Sequence, residues 1–382
     1  MQTRYTTANP IFGLSTTDLG DIYVPLDFFS EGGVWTIGSS DFGSNSSPMQ
    51  LFSADVDWKQ VSCSILGASF YGIKGDSTLW AWGSNAQGQL GDNTINIKSF
   101  PVQTIVGGVN WKQVSAGGYH VAAVRNDGTL WAWGHNAQGQ LGNNTITTII
   151  SPAQTIVGGT NWKQVACGAY HISAIKTDGT LWTWGYNSNG ELGDTTIISK
   201  SSPVQTIVGG TNWKQVACGS YHSGAIKTDG TLWLWGYNNV GQLGDTTIVS
   251  KSSPAQTIVG GTNWKQVACG EFTTAAIKTD GTLWTWGDNT RGQLGDNTIV
   301  AKSSPIQTIQ GGTNWKQVAC GDSHMVAIKT DCTLWSWGYN NVGQLGDNTI
   351  VSKSSPVQIA GGGTNWKQVA AGQQKTIAIT FV

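Results

Sequence analysis

Two stretches decide the fold of this 382-residue chain: Trp-Lys-Gln-Val at residues 162–165 and Leu-Trp-Thr-Trp-Gly at residues 181–185. The first motif occurs seven times, with one interval of 53 residues and five of 51, starting at Trp58, Trp111, Trp162, Trp213, Trp264, Trp315 and Trp366. The second motif, Leu-Trp-x-Trp-Gly, has its first tryptophan at Trp80, Trp131, Trp182, Trp233, Trp284 and Trp335. A degraded seventh copy of it occupies residues 34–38.

The two motifs are out of phase at the chain ends. The repeats begin with the Trp35 half of a unit and end with the Trp366 half, so the two ends together make one unit. An open solenoid needs polar caps, whereas a ring gains by pairing its termini in one sheet and so removing exposed edges. The sequence predicts an all-β, seven-bladed propeller over residues 34–382, with its last blade closed by both termini. Residues 1–33 form a non-repeated leader.

Each unit contains four apolar runs, as at residues 162–167, 171–176, 180–184 and 203–208. Four short strands are what a propeller blade requires. Asp-Gly between the second and third runs predicts a two-residue hairpin with both central residues at positive φ. The equivalent pair in the sixth unit is Asp331-Cys332, which places a side chain where glycine is favoured and predicts strain of roughly 1 kcal/mol.

The charge pattern argues against several function classes. Charged residues make up 11% of the chain, the formal net charge is −1, and the lysines are spread along every repeat. This is unlike a nucleic-acid-binding protein, which clusters basic residues. No apolar run approaches 18 residues and no basic-apolar leader is present, so we expect neither membrane insertion nor a secretory signal.

Recurring cysteines and histidines are interpreted as structural. Five cysteines occupy one repeat position, where Ala116 and Ala371 stand in the other repeats: Cys63, Cys167, Cys218, Cys269 and Cys320. They fit a small buried residue, and the close spacing of a metal site is absent. Four histidines follow a glycine by three residues: His120, His171, His222 and His324. No carboxylate or nucleophile recurs beside them, so we expect buried histidines bonded to backbone, no enzyme activity, no metal and no cofactor.

The unit from Gly168 to Asp194, repeated from Gly219 to Asp245, resembles the regulator-of-chromosome-condensation repeat. The resemblance covers about residues 34–382 and implies a seven-bladed propeller with a shared closing blade. Exchange factors of that family carry a basic tail and a wedge-like insertion, and its plant ultraviolet photoreceptors carry a tryptophan-arginine pair before the histidine. This chain has neither feature, and fold alone does not determine function.

The repeats differ most in two loop positions, which are therefore candidate binding positions at the rim. One comprises the two residues that follow the glycine of the Gly-x-x-His loop, and the other precedes the recurring asparagine. The predicted binding residues are Tyr119, Tyr170, Tyr221, Glu271, Phe272, Asp322, Tyr186, Tyr237 and Tyr339.

The leader contains an apolar string that we predict to be a docking segment: Ile22, Tyr23, Val24, Leu26, Phe28 and Phe29. Near-identical repeats behind a short leader also resemble propellers of predicted bacteriophage structural proteins. The leading hypothesis is a non-enzymatic virion protein whose leader docks on a capsid or tail protein and whose propeller is displayed to a host-surface glycan or protein. The alternatives are a cytoplasmic adaptor or small-GTPase regulator, and a glycan-binding lectin.

Overall fold

The computed structural model describes residues 32–40, 43–51, 57–106 and 108–381. These residues form 28 strands in seven four-stranded antiparallel sheets. They contain no helix long and apolar enough to cross a membrane. The predicted all-β propeller with seven four-stranded blades is confirmed.

The strands follow one another as the repeats require. The chain enters through β1 (Val34–Ser40) and β2 (Gly43–Leu51). Blade 1 contains β3 (Trp58–Cys63), β4 (Ser69–Lys74), β5 (Leu79–Gly83) and β6 (Lys98–Gln103). Blade 2 contains β7 (Trp111–Ala116), β8 (His120–Arg125), β9 (Leu130–Gly134) and β10 (Ile149–Gln154). Blade 3 contains β11 (Trp162–Cys167), β12 (His171–Lys176), β13 (Leu181–Gly185) and β14 (Lys200–Gln205).

The second half of the ring repeats this order. Blade 4 contains β15 (Trp213–Cys218), β16 (His222–Lys227), β17 (Leu232–Gly236) and β18 (Lys251–Gln256). Blade 5 contains β19 (Trp264–Cys269), β20 (Thr273–Lys278), β21 (Leu283–Gly287) and β22 (Lys302–Gln307). Blade 6 contains β23 (Trp315–Cys320), β24 (His324–Lys329), β25 (Leu334–Gly338) and β26 (Lys353–Gln358). The chain ends with β27 (Trp366–Ala371) and β28 (Lys375–Thr380).

The seventh, closing blade has the strand order β2-β1-β28-β27, so the two chain ends share one sheet as predicted. β1 and β28 pair antiparallel from Val34 opposite Ile379 to Gly38 opposite Lys375. Beyond the ladder, the Gly32 N–H donates to the Phe381 carbonyl at 2.6 Å.

A ring of seven glutamines joins the inner strands, which are the Trp-Lys-Gln-Val strands and contact one another from blade to blade. In blade 3, Gln164 Nε2 donates to the Val216 carbonyl of blade 4 at 3.1 Å, and Gln164 Oε1 accepts the Val216 N–H at 3.2 Å. The same pair of bonds recurs at every junction, and Gln368 closes the ring on Val61. Each glutamine thereby satisfies backbone groups that two unpaired neighbouring strands would leave orphaned. The glutamines bridging the seven junctions are Gln60, Gln113, Gln164, Gln215, Gln266, Gln317 and Gln368.

Tryptophans fill the space between blades. In blade 5, Trp264 and Trp286 are fully buried and meet edge to face at 6.3 Å, and Trp286 Nε1 donates to the Gln242 carbonyl of blade 4 at 2.8 Å. Burying one such indole contributes on the order of 4–6 kcal/mol before entropy, as an upper estimate. The two tryptophans of Trp-x-Trp are not equivalent, however. In blade 3, Trp182 is only half-buried, and Lys176 lies over its ring at 4.6 Å and over the Trp162 ring at 4.9 Å.

The Gly-Gln-Leu-Gly stretches, as at residues 241–244, form the seams between blades. Gly244 has a φ of 65°, and a Cβ there would lie 2.7 Å from Trp286 Nε1 of the next blade. Glycine is needed both for the backbone conformation and for the close approach.

Two local predictions were wrong in detail. The predicted fourth run at 203–208 is a strand at Lys200–Gln205, because Lys200 pairs with Gly185 across a bulge and the ladder with β13 ends where Gln205 faces Trp182. The hairpin also differs, because in blade 3 the Gly179 N–H donates to the Lys176 carbonyl while the Lys176 N–H donates to the Thr180 carbonyl. Gly179 has a positive φ of 80° and Asp178 does not, so the turn is a three-residue loop with a bulge rather than a two-residue hairpin.

The predicted positive φ of Cys332 is confirmed at 62°. Ser77, in the equivalent hairpin of blade 1, has a φ of 67° and was not anticipated.

Candidate functional site

The propeller has two unlike faces. We call the loop face the one that carries, in each blade, the loop after the inner strand and the loop after the third strand. We call the hairpin face the one that carries the Asp-Gly hairpins and the links to the next blade. The two variable positions predicted from the sequence both lie on the loop face.

A backbone hydrogen bond joins those two positions in each of the seven blades. In blade 4 the Tyr237 N–H donates to the Tyr221 carbonyl at 2.8 Å. The adjacent Asn238 is fully buried; its Nδ2 donates to Asp245 Oδ1 at 3.2 Å and its Oδ1 accepts the Leu243 N–H at 2.9 Å. The variable side chains are therefore displayed from a backbone that buried, constant residues hold in place.

The structure brings several of the predicted aromatic residues together. Tyr221, Tyr237 and Phe272 form what we call the aromatic cluster: the Tyr221 and Phe272 rings stack at 5.9 Å, and Tyr237 lies 6.2 Å from Tyr221 and 5.8 Å from Phe272. In blade 3, Tyr170 and Tyr186 meet edge to face at 6.3 Å. All five rings are half-buried, so each offers both a packed and a solvent-facing surface.

The remaining predicted aromatic residues lie on the same face outside the aromatic cluster. Tyr339 is covered by the Arg291 guanidinium at 4.7 Å from its ring. Tyr119 lies in blade 2, close enough to Tyr170 for its charge to contribute to the raised pKa of that tyrosine, whose main cause is burial.

Two predicted carboxylates lie beside the aromatic cluster. Burial, followed by the neighbouring charge of Asp322, raises the pKa of Glu271 to about 7. Burial also raises the pKa of Asp322, whose Oδ1 accepts a hydrogen bond from Ser323 Oγ at 2.5 Å. Glu271 belongs to the same surface as Tyr221, because its charge contributes, after burial and Tyr170, to the raised pKa of Tyr221. This part of the loop face is therefore aromatic and acidic.

Sequence reasoning missed a third carboxylate, Glu191. It replaces the glutamine of Gly-Gln-Leu-Gly in blade 3, is fully buried, and has its pKa raised by that burial. Its Oε1 accepts a hydrogen bond from Asn189 Nδ2 at 2.7 Å, and its Oε2 accepts one from the Asn189 N–H at 2.9 Å. The signal was present in the sequence, since Asn189 supplies a side-chain donor in the one repeat that has an acid.

The recurring histidines are buried, but their partners differ from the prediction. His171 Nε2 lies 2.9 Å from Ser223 Oγ, a side chain of the next blade rather than nearby backbone. Ser223 Oγ donates its own hydrogen to the Glu191 carbonyl at 3.0 Å, so it accepts from His171 Nε2. The histidine is therefore a donor and does not act as a base toward this hydroxyl. Burial lowers the pKa of His171 to about 3, so the ring stays neutral.

The inner-strand cysteines are free and buried, and burial raises the pKa values of Cys63 and Cys218 to about 11. Such thiols stay protonated at neutral pH. In the described part of the chain, no three histidine, cysteine or acidic side chains are grouped as a metal site would require.

The predicted docking string of the leader lies outside the described residues: Ile22, Tyr23, Val24, Leu26, Phe28 and Phe29. Its docking role stays a prediction.

The structure resembles solved propellers in fold. Prp20p of Saccharomyces cerevisiae, described together with its binding to Gsp1p and histones, superposes with a TM-score of 0.80 at 19% identity, covering 92% of each chain. Human WBSCR16 superposes with a TM-score of 0.80 at 22% identity, covering 92% of this chain and 100% of that one.

Sequence comparison is more specific. The ultraviolet-B receptor UVR8 of Arabidopsis thaliana is 30% identical over 316 residues, which is 81% of this chain and 71% of UVR8. The human E3 ubiquitin-protein ligase HERC2 is 30% identical across 81% of this chain, but the match spans only 7% of HERC2. A family model for the RCC1-like domain matches residues 33–378. The chain therefore belongs to the family of RCC1-like domains.

Proposed function

We propose that this chain is a non-enzymatic protein-binding propeller that holds its partner on the loop face. The observation that carries the proposal is the aromatic cluster of Tyr221, Tyr237 and Phe272 beside the Glu271 carboxylate. Tyrosine and phenylalanine are enriched in the centres of protein interfaces, where they provide contact area at a low entropic cost.

The chemistry of this surface defines the partner. Half-buried rings favour apolar and guanidinium groups, and the carboxylates of Glu271 and Asp322 favour cations. We expect a partner that presents arginine or lysine next to apolar side chains. Prp20p, a propeller of the same fold, is described as binding Gsp1p and histones, so protein binding has precedent in this fold.

The experiment compares partner capture by three forms of the full chain in extracts of its source. One form is unaltered, one carries Tyr221→Ser, Tyr237→Ser and Phe272→Ser, and one carries Ile207→Ser and Ile258→Ser as a control. The control residues are aliphatic, 57% and 58% exposed, and lie in links between blades on the opposite, hairpin face. We expect one protein to be enriched by the unaltered and control forms and lost from the triple variant. Equal capture by all three forms would place the partner elsewhere.

Regulation of a small GTPase is a second candidate, favoured by the likeness in fold to Prp20p. It predicts faster nucleotide release from a GTPase of the source organism. No acceleration at micromolar propeller concentrations would exclude it.

Display on a virion is a more specific form of the binding proposal. It rests on the non-repeated residues 1–33 and on the resemblance to bacteriophage propellers, with the leader contacting a capsid or tail protein. Mass spectrometry of purified particles tests this localisation, and absence of the chain would contradict it. If the displayed surface binds a glycan, a glycan array should give a hit that Tyr170→Ala with Tyr221→Ala removes, because sugars would stack on these rings.

A further inference from the structure

Seven lysines, spread along the sequence, lie on the hairpin face at the start of the inner strands, which contact one another around the propeller axis. Each is the second residue of an inner strand: Lys59, Lys112, Lys163, Lys214, Lys265, Lys316 and Lys367. We call this set the lysine ring. Six of its members are exposed and Lys367 is half-buried. The tryptophan that precedes each lysine places it on the hairpin face. In blade 3, the Trp162 N–H donates to the carbonyl of Gly128, which belongs to a hairpin of blade 2.

A β-bulge turns each lysine outward. In blade 3 the ladder shifts between Trp162 and Gln164, so Trp162 and Lys163 together face Lys176. Because of the bulge, the tryptophan side chain points into the space between blades, whereas the lysine side chain that follows it points to solvent. The same shift occurs in all seven inner strands.

Among the residues that the structure describes, no lysine of the ring forms an ion pair with a carboxylate. Within residues 32–40, 43–51, 57–106 and 108–381, the ion pairs involve outer-strand lysines, such as Lys200 with Asp194, and none involves the lysine ring. The hairpin aspartates interact with other cations, as Asp178 does with Lys176. The contacts that ring members make are with neutral groups: Lys59 Nζ donates to the Gly75 carbonyl, Lys367 Nζ donates to the Trp58 carbonyl at 3.3 Å, and Lys316 Nζ lies 5.2 Å from the centre of the Phe381 ring.

A cavity opens beside blades 1 and 2 on this face. It has a volume of about 440 Å³ and is lined by two ring lysines, three members of the glutamine ring and four residues of blades 1 and 2: Lys59, Lys112, Gln60, Gln113, Gln368, Ile73, Ser77, Trp111 and Asn126. Each glutamine uses one hydrogen of its amide on a neighbouring inner strand and has a second hydrogen to donate. Two of the seven lysines and three of the seven bridging glutamines therefore line one cavity, which offers both ammonium groups and amide donors to a ligand.

We propose that the lysine ring binds one multiply phosphorylated small molecule on the propeller axis. Like charges arranged around one axis repel each other and attract a counter-charge to the centre. A phosphate monoester carries about −1.5 to −2 charges at pH 7, so about four such groups balance seven ammonium groups within a small volume. Lysine binds phosphate as a point charge and needs no planar geometry.

The arrangement is less suited to nucleic acid. A strand lying across a closed ring would contact a few of the lysines, whereas a compact ligand at the centre faces all of them. Trp111, the aromatic residue in the lining, is 1% exposed and offers no stacking surface to a base.

The test is calorimetric titration of the full chain with inositol hexakisphosphate and, separately, with inorganic phosphate and a single-stranded oligonucleotide, at low ionic strength. One variant carries Lys163→Gln and Lys214→Gln in the lysine ring of blades 3 and 4. The matched control carries Lys200→Gln and Lys251→Gln, which removes the same charge from the outer strands of the same blades.

We expect one inositol hexakisphosphate per propeller, bound more tightly than the other two probes, and weakened at least about tenfold in the ring variant but not in the control. Equal weakening in both variants would mean general charge attraction and would overturn the proposal. No saturable binding, several molecules per chain, or tighter binding of the oligonucleotide would overturn it as well. Thermal unfolding of both variants checks that the substitutions leave the fold intact.

Discussion

Two strand pairs in this molecule have the same geometry but a different connection. β12 and β13 of blade 3 form five residue pairs, from His171 opposite Gly185 to Ile175 opposite Leu181, and a hairpin joins them. β28 and β1 of the closing blade form the same five pairs, but no hairpin joins them and almost the whole chain lies between. The pairing is therefore set by what packs on either side of the sheet, and not by the hairpin. Without a hairpin, pairing these strands costs more loop-closure entropy, but this cost grows only slowly with the length of chain between the strands.

The largest difference between the two strand pairs is expected when each pair is joined by an engineered disulfide. Thr36 faces Ile377 across the seam, and Ser173 faces Thr183 at the matching place in blade 3, so two double-cysteine variants are equivalent. Facing residues in antiparallel strands have Cα atoms about 4.5–5.5 Å apart, which suits a disulfide. Oxidation closes a loop of roughly 340 residues at the seam and about 11 in blade 3, so we expect stabilisation of about 6 and about 3 kcal/mol.

Denaturant unfolding of oxidised against reduced protein measures both values. Equal stabilisation at the two sites would mean that the seam remains closed in the unfolded ensemble.

The next largest effect concerns the side chains that pack between blades and that hold strands together without a hairpin. Ile37 of the closing blade stands where the continuous blades have a buried tryptophan such as Trp286. We expect Trp286→Ile to cost about 3 kcal/mol, because it removes a buried indole and one of the two side-chain donors to the Gln242 carbonyl, the other being Thr274 Oγ1. Ile37→Val, the control in the closing blade, should cost about 1 kcal/mol. Chemical denaturation at one pH compares them; similar costs would mean that the continuous blades relax around the cavity.

A lower pH should destabilise a continuous blade that contains a buried histidine, such as blade 3, more than it destabilises the closing blade. Burial lowers the pKa of His171 to about 3 from its ordinary value of about 6.5, so its contribution to stability is complete above pH 6.5 and is lost as the pH falls toward 3. The closing blade has Lys375 in this position, and its Nζ donates to Ser64 Oγ of the next blade at 3.2 Å, a bond that does not require a neutral donor.

We expect His171→Thr, which copies Thr273 of blade 5, to reduce the loss of stability between pH 6.5 and 4.5 by about 1.4 kcal/mol per pH unit. Unfolding free energies measured across that interval test this. An unchanged slope would show that the histidine is protonated without unfolding.

The smallest expected effect is the gain in stability when backbone strain at Cys332, in the hairpin of blade 6, is removed. Cys332 has a φ of 62°, so Cys332→Gly should stabilise the chain by about 1 kcal/mol. The reverse change, Gly230→Cys, should cost about 3 kcal/mol, because a Cβ there lies 2.1 Å from the Thr262 carbonyl oxygen. A lower melting temperature for Cys332→Gly would show that the cysteine side chain contributes contacts that exceed the strain.

The sequence predicts most of the fold because its repeats are nearly identical. Assigning four strands to one repeat assigns them to all seven, and this predicts the number of blades, the closing blade and the strand content. The hairpin type was missed because it depends on the pairing of Lys176 with Thr180, which the Asp-Gly pair alone does not specify. The buried histidines were identified correctly, but their partners were not, since Ser223 belongs to another repeat.

The site is less predictable for the same reason. Gln164 could bond within its own blade or to the next, and identical repeats do not distinguish the two. Lysines 51 residues apart appear scattered in the sequence and gather only when the ring closes. The loop-face residues were found because they vary among the repeats, but the grouping of Tyr221 with Phe272 depends on neighbouring blades being adjacent in space.

The pairing of β1 with β28 also determines how the molecule bears mechanical load. Gly32 and Phe381 lie side by side at one end of that ladder, so a force that separates the chain ends acts on the Val34 and Ile379 pair first. The hydrogen bonds would then break one after another, as in unzipping, and not all together as in shear. A tether through one chain end and a load on the loop face leaves this seam unstressed, whereas a pull between both ends opens the ring at low force.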